Sequence, residues 1–180
     1  MFRHARAIDP EARELRLAWK DPLASAALSH GLSGVEALRA IIDATTPPPP
    51  IALLMNIWLV EAAVGRVVFE GEPGEEHYNA IGSVHGGFAM TILDFALGCA
   101  IGSQLPAGIG YATTDVQTRF IRAISHTSGR VRCEGKVIHV GRTTGVSEAR
   151  LSDAAGKILA TGTTACAIFR GGDRRVSTSP

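Results

Sequence analysis

The stretch "HYNAIGSVHGGFAMTILDFALG", residues 77–98, decides the fold. It begins with polar residues and a glycine pair, and it then becomes apolar apart from Asp94. Residues 86–105 contain no proline, and their apolar side chains would fall on every face of a helix. Because a helix that is apolar all round must be surrounded by protein, we predict one central buried helix that carries a single carboxylate.

Strand-like segments flank this helix on both sides. Two β-like runs within residues 57–73 are separated near Gly65, which indicates a hairpin. Four further runs, rich in Val, Ile, Thr and Phe, end at turn-forming residues. They cover residues 111–124, 128–141, 142–157 and 157–169. This order predicts an α+β fold in which an antiparallel sheet wraps around the central helix.

The second of these four runs shows the alternation expected of a half-buried strand. Val131, Cys133, Val137 and His139 share one parity along residues 128–141. Side chains two residues apart point to the same face of a strand. We therefore predict that these four side chains face the same side of the sheet.

Residues 1–46 predict short helices. Asp9 precedes Pro10, and Asp21 precedes Pro22. Aspartate is a preferred N-cap residue, and proline is tolerated at the first helical position because its missing N–H has no intrahelical partner there. Each pair therefore predicts the start of a helix.

A third predicted helix precedes a proline run. Ser33 and Glu36 have the spacing of a capping box. The sequence "PPPP" at residues 47–50 cannot continue a helix and favours an extended spacer. We predict three parts: a helical extension over 1–50 that ends in a proline-rich linker, a main domain over 51–170, and a flexible tail over 171–180.

Composition excludes several functional classes. The 180 residues carry 18 Lys and Arg against 17 Asp and Glu, so the net charge gives no reason to expect a nucleic-acid partner. Cys99, Cys133 and Cys166 are odd in number and far apart, which favours reduced buried thiols over disulfides. The N-terminus lacks the apolar core of a secretory signal, and no apolar run is long enough to cross a bilayer. We expect a cytoplasmic protein that does not associate with membranes.

Residues 79–94 resemble a motif of the hotdog-fold acyl-CoA thioesterases, in particular the phenylacetate-degradation-type (PaaI-like) branch. The motif is N-x-x-G-x-x-H-G-G with an acidic residue seven positions after the second glycine. The stretches "TTDVQTRFIRA" and "GRTTGVSEARLSDAAGKILATGTT" support the resemblance, which covers about residues 50–170. It implies the hotdog fold, an antiparallel sheet around a central helix, and hydrolysis of an acyl-CoA thioester.

Asp94 is the predicted catalytic carboxylate. A lone carboxylate on a buried helix is costly unless it has a partner, and partial burial would make it a better base. It would act either as a general base that activates water or as a nucleophile that forms a mixed anhydride. The resemblance adds Thr113 as a hydroxyl that hydrogen-bonds the carboxylate or the water; the alternative is an ordinary strand threonine.

The helix N-terminus is the predicted electrophilic site. Backbone N–H groups in a first helical turn lack intrahelical partners, so we expect the Gly86 N–H to polarise the thioester carbonyl, helped by His85 or Asn79. Gly87 has no Cβ and lets substrate approach the backbone. The alternatives are close helix packing for the glycines and a turn role for Asn79. We expect His77 on the surface and no metal site, because His77 and His85 lack further ligands at the usual spacing.

One helix cannot readily supply both groups to one substrate. Gly86 and Asp94 are eight residues apart, which is about 12 Å along a helix axis. A carboxylate that attacks a carbonyl must lie within about 3.5 Å of it. We therefore expect a homodimer in which the two central helices are antiparallel, either alone or as half of a dimer-of-dimers tetramer. The resemblance also implies this arrangement of the helices.

The implied substrate contains coenzyme A, and we expect no separate cofactor. Its phosphates require a cationic rim, for which Arg122, His139 and Arg142 are the candidates. Both an aromatic and a medium-chain aliphatic acyl group are compatible with the sequence. Its expected wall consists of Ile81, Phe88, Ile92, Phe95 and Tyr111. The alternative functions are a non-catalytic acyl-CoA-binding or regulatory module and a hotdog hydratase or dehydratase.

Overall fold

A computed structural model describes residues 12–170, and these form one six-stranded antiparallel sheet around one long helix. The helices are α1 (Pro22–Ala27), α2 (Gly34–Ile42), α3 (Pro50–Leu54) and α4 (Gly86–Gly102). The strands are β1 (Ile57–Ala63), β2 (Arg66–Gly71), β3 (Ile109–Phe120), β4 (Val131–Val140), β5 (Thr144–Ser152) and β6 (Ile158–Arg170). The predicted order of hairpin, central helix and four strands is confirmed.

Helix α4 forms the centre of the hydrophobic core. Phe88, Ile92, Leu93 and Leu97 are fully buried against the sheet. Burial of each such side chain stabilises the fold by about 1.5–3 kcal/mol.

None of the helices within residues 12–170 is long and apolar enough to cross a membrane.

The strand order β1-β2-β4-β5-β6-β3 leaves β1 and β3 at the two edges of the sheet. The 12-residue strand β3 pairs with β6 along one side. The N–H and C=O groups on its other side have no neighbouring strand among the described residues. A long free edge of this kind is a template for pairing with another chain.

Helix α4 is not buried on every face, which corrects the prediction for it. Met90 and Asp94 are exposed, and Gly87 is half-buried. Thr113 of the edge strand β3 reaches Asp94, so this stripe lies where the sheet ends. The carboxylate is therefore accessible at an open stripe of an otherwise enclosed helix.

Strand β4 corrects the predicted alternation at its end. Val131 and Cys133 are fully buried, but His139 is exposed. The pairing of β4 with β5 shifts by one residue between Val137 and His139. Because such a bulge reverses the alternation, His139 no longer shares a face with the buried residues before it.

The N-terminal region meets part of the prediction. Helix α1 begins at Pro22, where the Leu23 N–H donates to Asp21 Oδ1 at 2.9 Å. The predicted capping box is confirmed, since Glu36 Oε2 accepts from the Ser33 N–H at 2.8 Å. Leu38 of α2 is buried within the main hydrophobic cluster.

Two details of this region differ from the prediction. Asp9 and Pro10 lie outside the described residues, but residues 12–20 are exposed and contain no helix. A short helix without a packing surface is marginal in water, which explains the difference. Pro50 begins α3 instead of continuing an extended spacer, and Pro49 before it is extended, with φ −65° and ψ 145°.

We expect Gly135→Ala to destabilise the protein because β4 contacts the backbone of α4 at this position. A Cβ on residue 135 would lie 2.2 Å from the Ala96 carbonyl oxygen. We expect a loss of about 2 kcal/mol in the free energy of unfolding, measured by urea denaturation. Gly162→Ala is the comparison, since its Cβ would meet the movable Leu97 Cδ1 at 3.3 Å. Equal midpoints for Gly135→Ala and wild type would contradict the packing described.

Candidate active site

Asp94 and Thr113 form the first part of the site. The Thr113 hydroxyl donates to Asp94 Oδ1 at 3.0 Å, which joins α4 to the edge strand β3. Both residues are exposed. No lysine or arginine within residues 12–170 forms an ion pair with Asp94. The predicted contact between Asp94 and Thr113 is therefore present, and one carboxylate oxygen is left for another partner.

The N-terminus of α4 forms the second part. The Gly87 N–H donates to His85 Nδ1 at 2.8 Å, so His85 caps the helix with its side chain. The Phe88 N–H donates to the His85 carbonyl at 3.0 Å. The Gly86 N–H has no acceptor among the described residues. Together with the helix dipole, this open amide makes residue 86 a place where a developing negative charge is stabilised.

A cleft of about 420 Å³ opens next to Gly86. Its walls include His85, Phe120, Arg122 and Leu159. The Arg122 guanidinium donates to the Ile158 carbonyl, which holds this side chain against β6. The structure thus places one cation beside the open helix N-terminus, where an anionic ligand group would bind.

The two parts of the site are separated along the helix. Gly86 and Asp94 stand eight residues apart on α4, which is about 12 Å along its axis. Met90, with 42% of its surface exposed, lies between them. One chain therefore does not bring the open amide and the carboxylate to the same atom.

Asn79 organises the loop that leads into α4. Its Oδ1 accepts from the N–H groups of Ile81 at 3.0 Å and Ser83 at 3.2 Å. Its Nδ2 donates to Ser83 Oγ at 3.1 Å. These contacts are those of a turn residue, and contact between Asn79 and substrate stays a prediction.

His77 is buried, which corrects the prediction of a surface residue. Its ring packs on Phe88 at a centroid distance of 5.0 Å, and its Nδ1 accepts from the Gly74 N–H at 2.9 Å. Its carbonyl accepts from the His85 N–H at 2.7 Å. His77 is thus part of the support beneath the N-terminus of α4, because its ring packs on Phe88 and its carbonyl accepts from the His85 N–H.

The remaining predicted cations lie away from Arg122. His139 is the penultimate residue of β4, and Arg142 lies in the turn to β5; both are exposed. Thr144, the first residue of β5, pairs with Ala167, and Ala167 pairs with Ala112 near the start of β3. The turn between β4 and β5 therefore lies at the end of the sheet where β3 begins. Arg122 follows the other end of β3, so the three rim candidates are not assembled in one chain.

The predicted acyl wall is only partly accessible. Phe88 and Ile92 are fully buried in the core, and Ile81 is 87% exposed on its loop. The Tyr111 ring packs against Gly98 and Gly102, so it fills space between β3 and α4. Phe95 is half-buried and lines an open pocket.

Sequence reasoning missed two apolar side chains of the cleft, Phe120 and Ile121. A Cβ on Gly86 would lie 3.0 Å from Phe120 Cζ, so this ring lies directly over the helix start. Both side chains are exposed at the end of β3. The signal available in the sequence was two apolar residues at a strand end whose neighbours were otherwise polar.

The cysteines are unsuited to nucleophilic catalysis. Burial raises the pKa of the Cys99 thiol to about 11. Burial also raises the pKa of Cys133. A protonated thiol is a poor nucleophile, so these two residues are structural at neutral pH.

Residues 81–160 match the family model described as the thioesterase superfamily. The human protein acyl-coenzyme A thioesterase 13 is 43% identical over 63 residues. That segment is 34% of this chain and 45% of the human protein, so the chain spans less than half the length of this relative. The matched family segment includes the open helix N-terminus, Asp94 and Thr113.

Two solved structures extend the comparison to the fold. The Escherichia coli PaaI protein from the phenylacetic acid degradation operon has a TM-score of 0.67 at 21% identity, covering 77% of this chain and 98% of that one. The smu.793 protein of Streptococcus mutans, bound to acetyl-CoA, has a TM-score of 0.58 at 22% identity, covering 64% and 90%. The chain therefore has the hotdog fold, and its residues 81–160, which are less than half of the chain, match the thioesterase superfamily model.

Proposed function

We propose that this protein is an acyl-CoA thioesterase of the PaaI-like branch, acting as a cytoplasmic homodimer or as a tetramer of two dimers. The observation that carries the proposal is that α4 presents two groups. One is the exposed Asp94 carboxylate, which accepts a hydrogen bond from Thr113 of β3, and the other is the open Gly86 amide at the helix N-terminus. The human relative named as an acyl-CoA thioesterase supports the reaction class. The Streptococcus mutans structure with acetyl-CoA supports the substrate class.

The reaction adds water across the thioester bond. With Asp94 as general base, the carboxylate takes a proton from water while the water oxygen attacks the carbonyl carbon. The carbonyl oxygen becomes an oxyanion that accepts from the Gly86 N–H. The C–S bond then breaks, the acid is released, and the CoA sulfur receives the proton from Asp94.

The second route uses Asp94 as the nucleophile. One carboxylate oxygen attacks the carbonyl carbon, and loss of the CoA thiolate leaves a mixed anhydride. Water then hydrolyses the anhydride and restores the carboxylate. In both routes Thr113 orients Asp94, and the Gly86 N–H stabilises the negative charge that develops on the carbonyl oxygen.

The proposal places each active site between two subunits. The free edge of β3 and the exposed apolar side chains of Met90 and Phe120 lie along one surface. A twofold axis beside β3 would pair two such edges and set two α4 helices antiparallel. Asp94 of one subunit would then face the partner's Gly86, and two such sites would form in each dimer.

Release of free thiol from a panel of acyl-CoA esters tests the proposed function. We expect the wild-type protein to release thiol from at least one medium-chain aliphatic or aromatic ester. Binding of the esters without thiol release would overturn the enzymatic proposal and favour an acyl-CoA-binding module. Addition of water to an enoyl-CoA, with no thiol released, would favour a hydratase.

We expect Thr113→Val to lower kcat by about tenfold to a hundredfold. The hydroxyl that orients Asp94 is lost, and hydrogen bonds to a charged group contribute about 1.5–3 kcal/mol. Thr113→Ser keeps the hydroxyl and should retain most of the activity. Steady-state kinetics on the preferred ester distinguish the two variants. Equal activity of the valine variant and wild type would leave Thr113 an ordinary strand residue.

A further inference from the structure

A second, apolar pocket lies between the N-terminal helical region and the sheet. Its volume is about 320 Å³, and we refer to it as the extension pocket. Three elements contribute most of its lining: α2, the proline run and β1. Representative lining residues are Leu38, Ile41, Ile42, Pro48, Trp58 and Phe95.

The extension pocket reaches α4 close to Asp94, which itself does not line it. Phe95 follows Asp94 directly on α4, about 1.5 Å along the axis and turned by about 100° around it. Cys99, one helical turn further, also lines the pocket, and its Sγ is 3.8 Å from the Tyr111 hydroxyl. The pocket therefore lies beside the segment of α4 that carries Asp94.

Its walls suit an aliphatic occupant. The side chains from α2, the prolines and Leu59 of β1 are aliphatic. The two phenylalanine rings, Phe69 and Phe95, stack on each other at 5.3 Å with an interplanar angle of 22°. Each phenylalanine ring uses one face for this stacking, and the Arg130 guanidinium lies 5.3 Å from the centroid of the third aromatic ring, Trp58, so none of the three rings has both faces free.

We propose that the extension pocket binds the acyl chain of a medium-chain aliphatic acyl-CoA, which makes α2 and the proline run determinants of chain-length specificity. This inference rests on the proposed thioesterase function. The acyl chain is the apolar part of the substrate next to the reacting carbonyl, whereas CoA is polar and charged. Apolar pockets of a few hundred Å³ with polar groups at one end are typical of small-ligand sites.

The pocket predicts how activity depends on chain length. Each methylene that enters it should raise kcat/KM by about fourfold until the pocket is full. The test compares wild type with Ile42→Trp on acetyl-, butanoyl-, hexanoyl-, octanoyl- and decanoyl-CoA. Ile42 is 38% exposed at the rim, so a larger side chain there can fill the pocket without disturbing the core.

We expect Ile42→Trp to lower kcat/KM for decanoyl-CoA by about tenfold or more and to change the value for acetyl-CoA by less than about twofold. The matched control is Ile51→Trp, because Ile51 is 45% exposed on α3 and outside the pocket lining. Its chain-length profile should equal that of wild type. Identical profiles for both variants and wild type would overturn the inference.

A binding measurement separates this inference from the proposed function. Trp58 lines the pocket, and the only other tryptophan is the exposed Trp19. In a Trp19→Phe protein, the thioether S-decyl-CoA, which has no carbonyl to hydrolyse, should change Trp58 emission, and CoA alone should not. A change without turnover of any ester would sustain the pocket and remove the thioesterase. Turnover without a change in Trp58 emission would support the thioesterase and overturn the acyl-binding role of the pocket.

Discussion

Asp94→Asn is expected to abolish nearly all thioester hydrolysis, with kcat lowered by about 10³-fold. The amide cannot take a proton from water, and it cannot act as the nucleophile, so both routes are lost. The fold should be retained because Asp94 is exposed, and the asparagine oxygen can still accept from Thr113. Thiol release from the preferred acyl-CoA ester measures the effect.

Asp43→Asn is the matched control for loss of one carboxylate. Asp43 is exposed at the C-terminal cap of α2 and is not among the residues that line the cleft or the extension pocket, so its variant should keep wild-type activity. Circular dichroism and size-exclusion chromatography check that both variants stay folded in the same oligomeric state. Equal turnover by Asp94→Asn and wild type would remove Asp94 from the chemistry.

Gly86→Pro is expected to lower kcat by about 10²-fold or more, because proline deletes the amide hydrogen assigned to the oxyanion. The backbone accepts the change. Residue 86 is the first helical position, where proline is favoured, and His85 before it is already extended, with φ −62° and ψ 140°. The loss should appear mainly in kcat, since the amide acts on charge that develops in the transition state.

Gly86→Ala is the control that isolates the amide hydrogen. Alanine and proline both add a Cβ, which would lie 3.0 Å from Phe120 Cζ, but alanine keeps the N–H. Phe120 is 57% exposed, so its ring can move aside. The alanine variant should therefore retain substantially more activity than the proline variant. Equal losses would mean that the Cβ, and not the missing N–H, causes the effect.

Local patterns in the sequence were sufficient for the six strands and the central helix, but not for α3 or for residues 12–20. The helix of residues 86–102 follows from an apolar segment without proline, and the strands follow from β-branched runs between turns. The contact between Thr113 and Asp94 was also expected, through the family motif. These features depend on short stretches or on a motif with fixed spacing.

Features that depend on long-range packing were not predictable in this way. His77 is buried because Phe88 packs on its ring. His139 faces solvent because a bulge reverses the alternation of β4. Asp94 is exposed because the sheet ends at β3, and no local pattern states which strand forms an edge. The extension pocket requires α2 and β1 to meet, which periodicity alone does not specify.

A heterodimer of two inactive variants tests the shared site most directly. Asp94→Asn and Gly86→Pro chains with different affinity tags are co-expressed, and the mixed dimer is isolated by two successive affinity steps. If Asp94 of one subunit works with the partner's Gly86, one of the two sites has both groups intact. The expected result is about half of the wild-type kcat per dimer. A mixed dimer no more active than either parent would contradict a site shared between subunits.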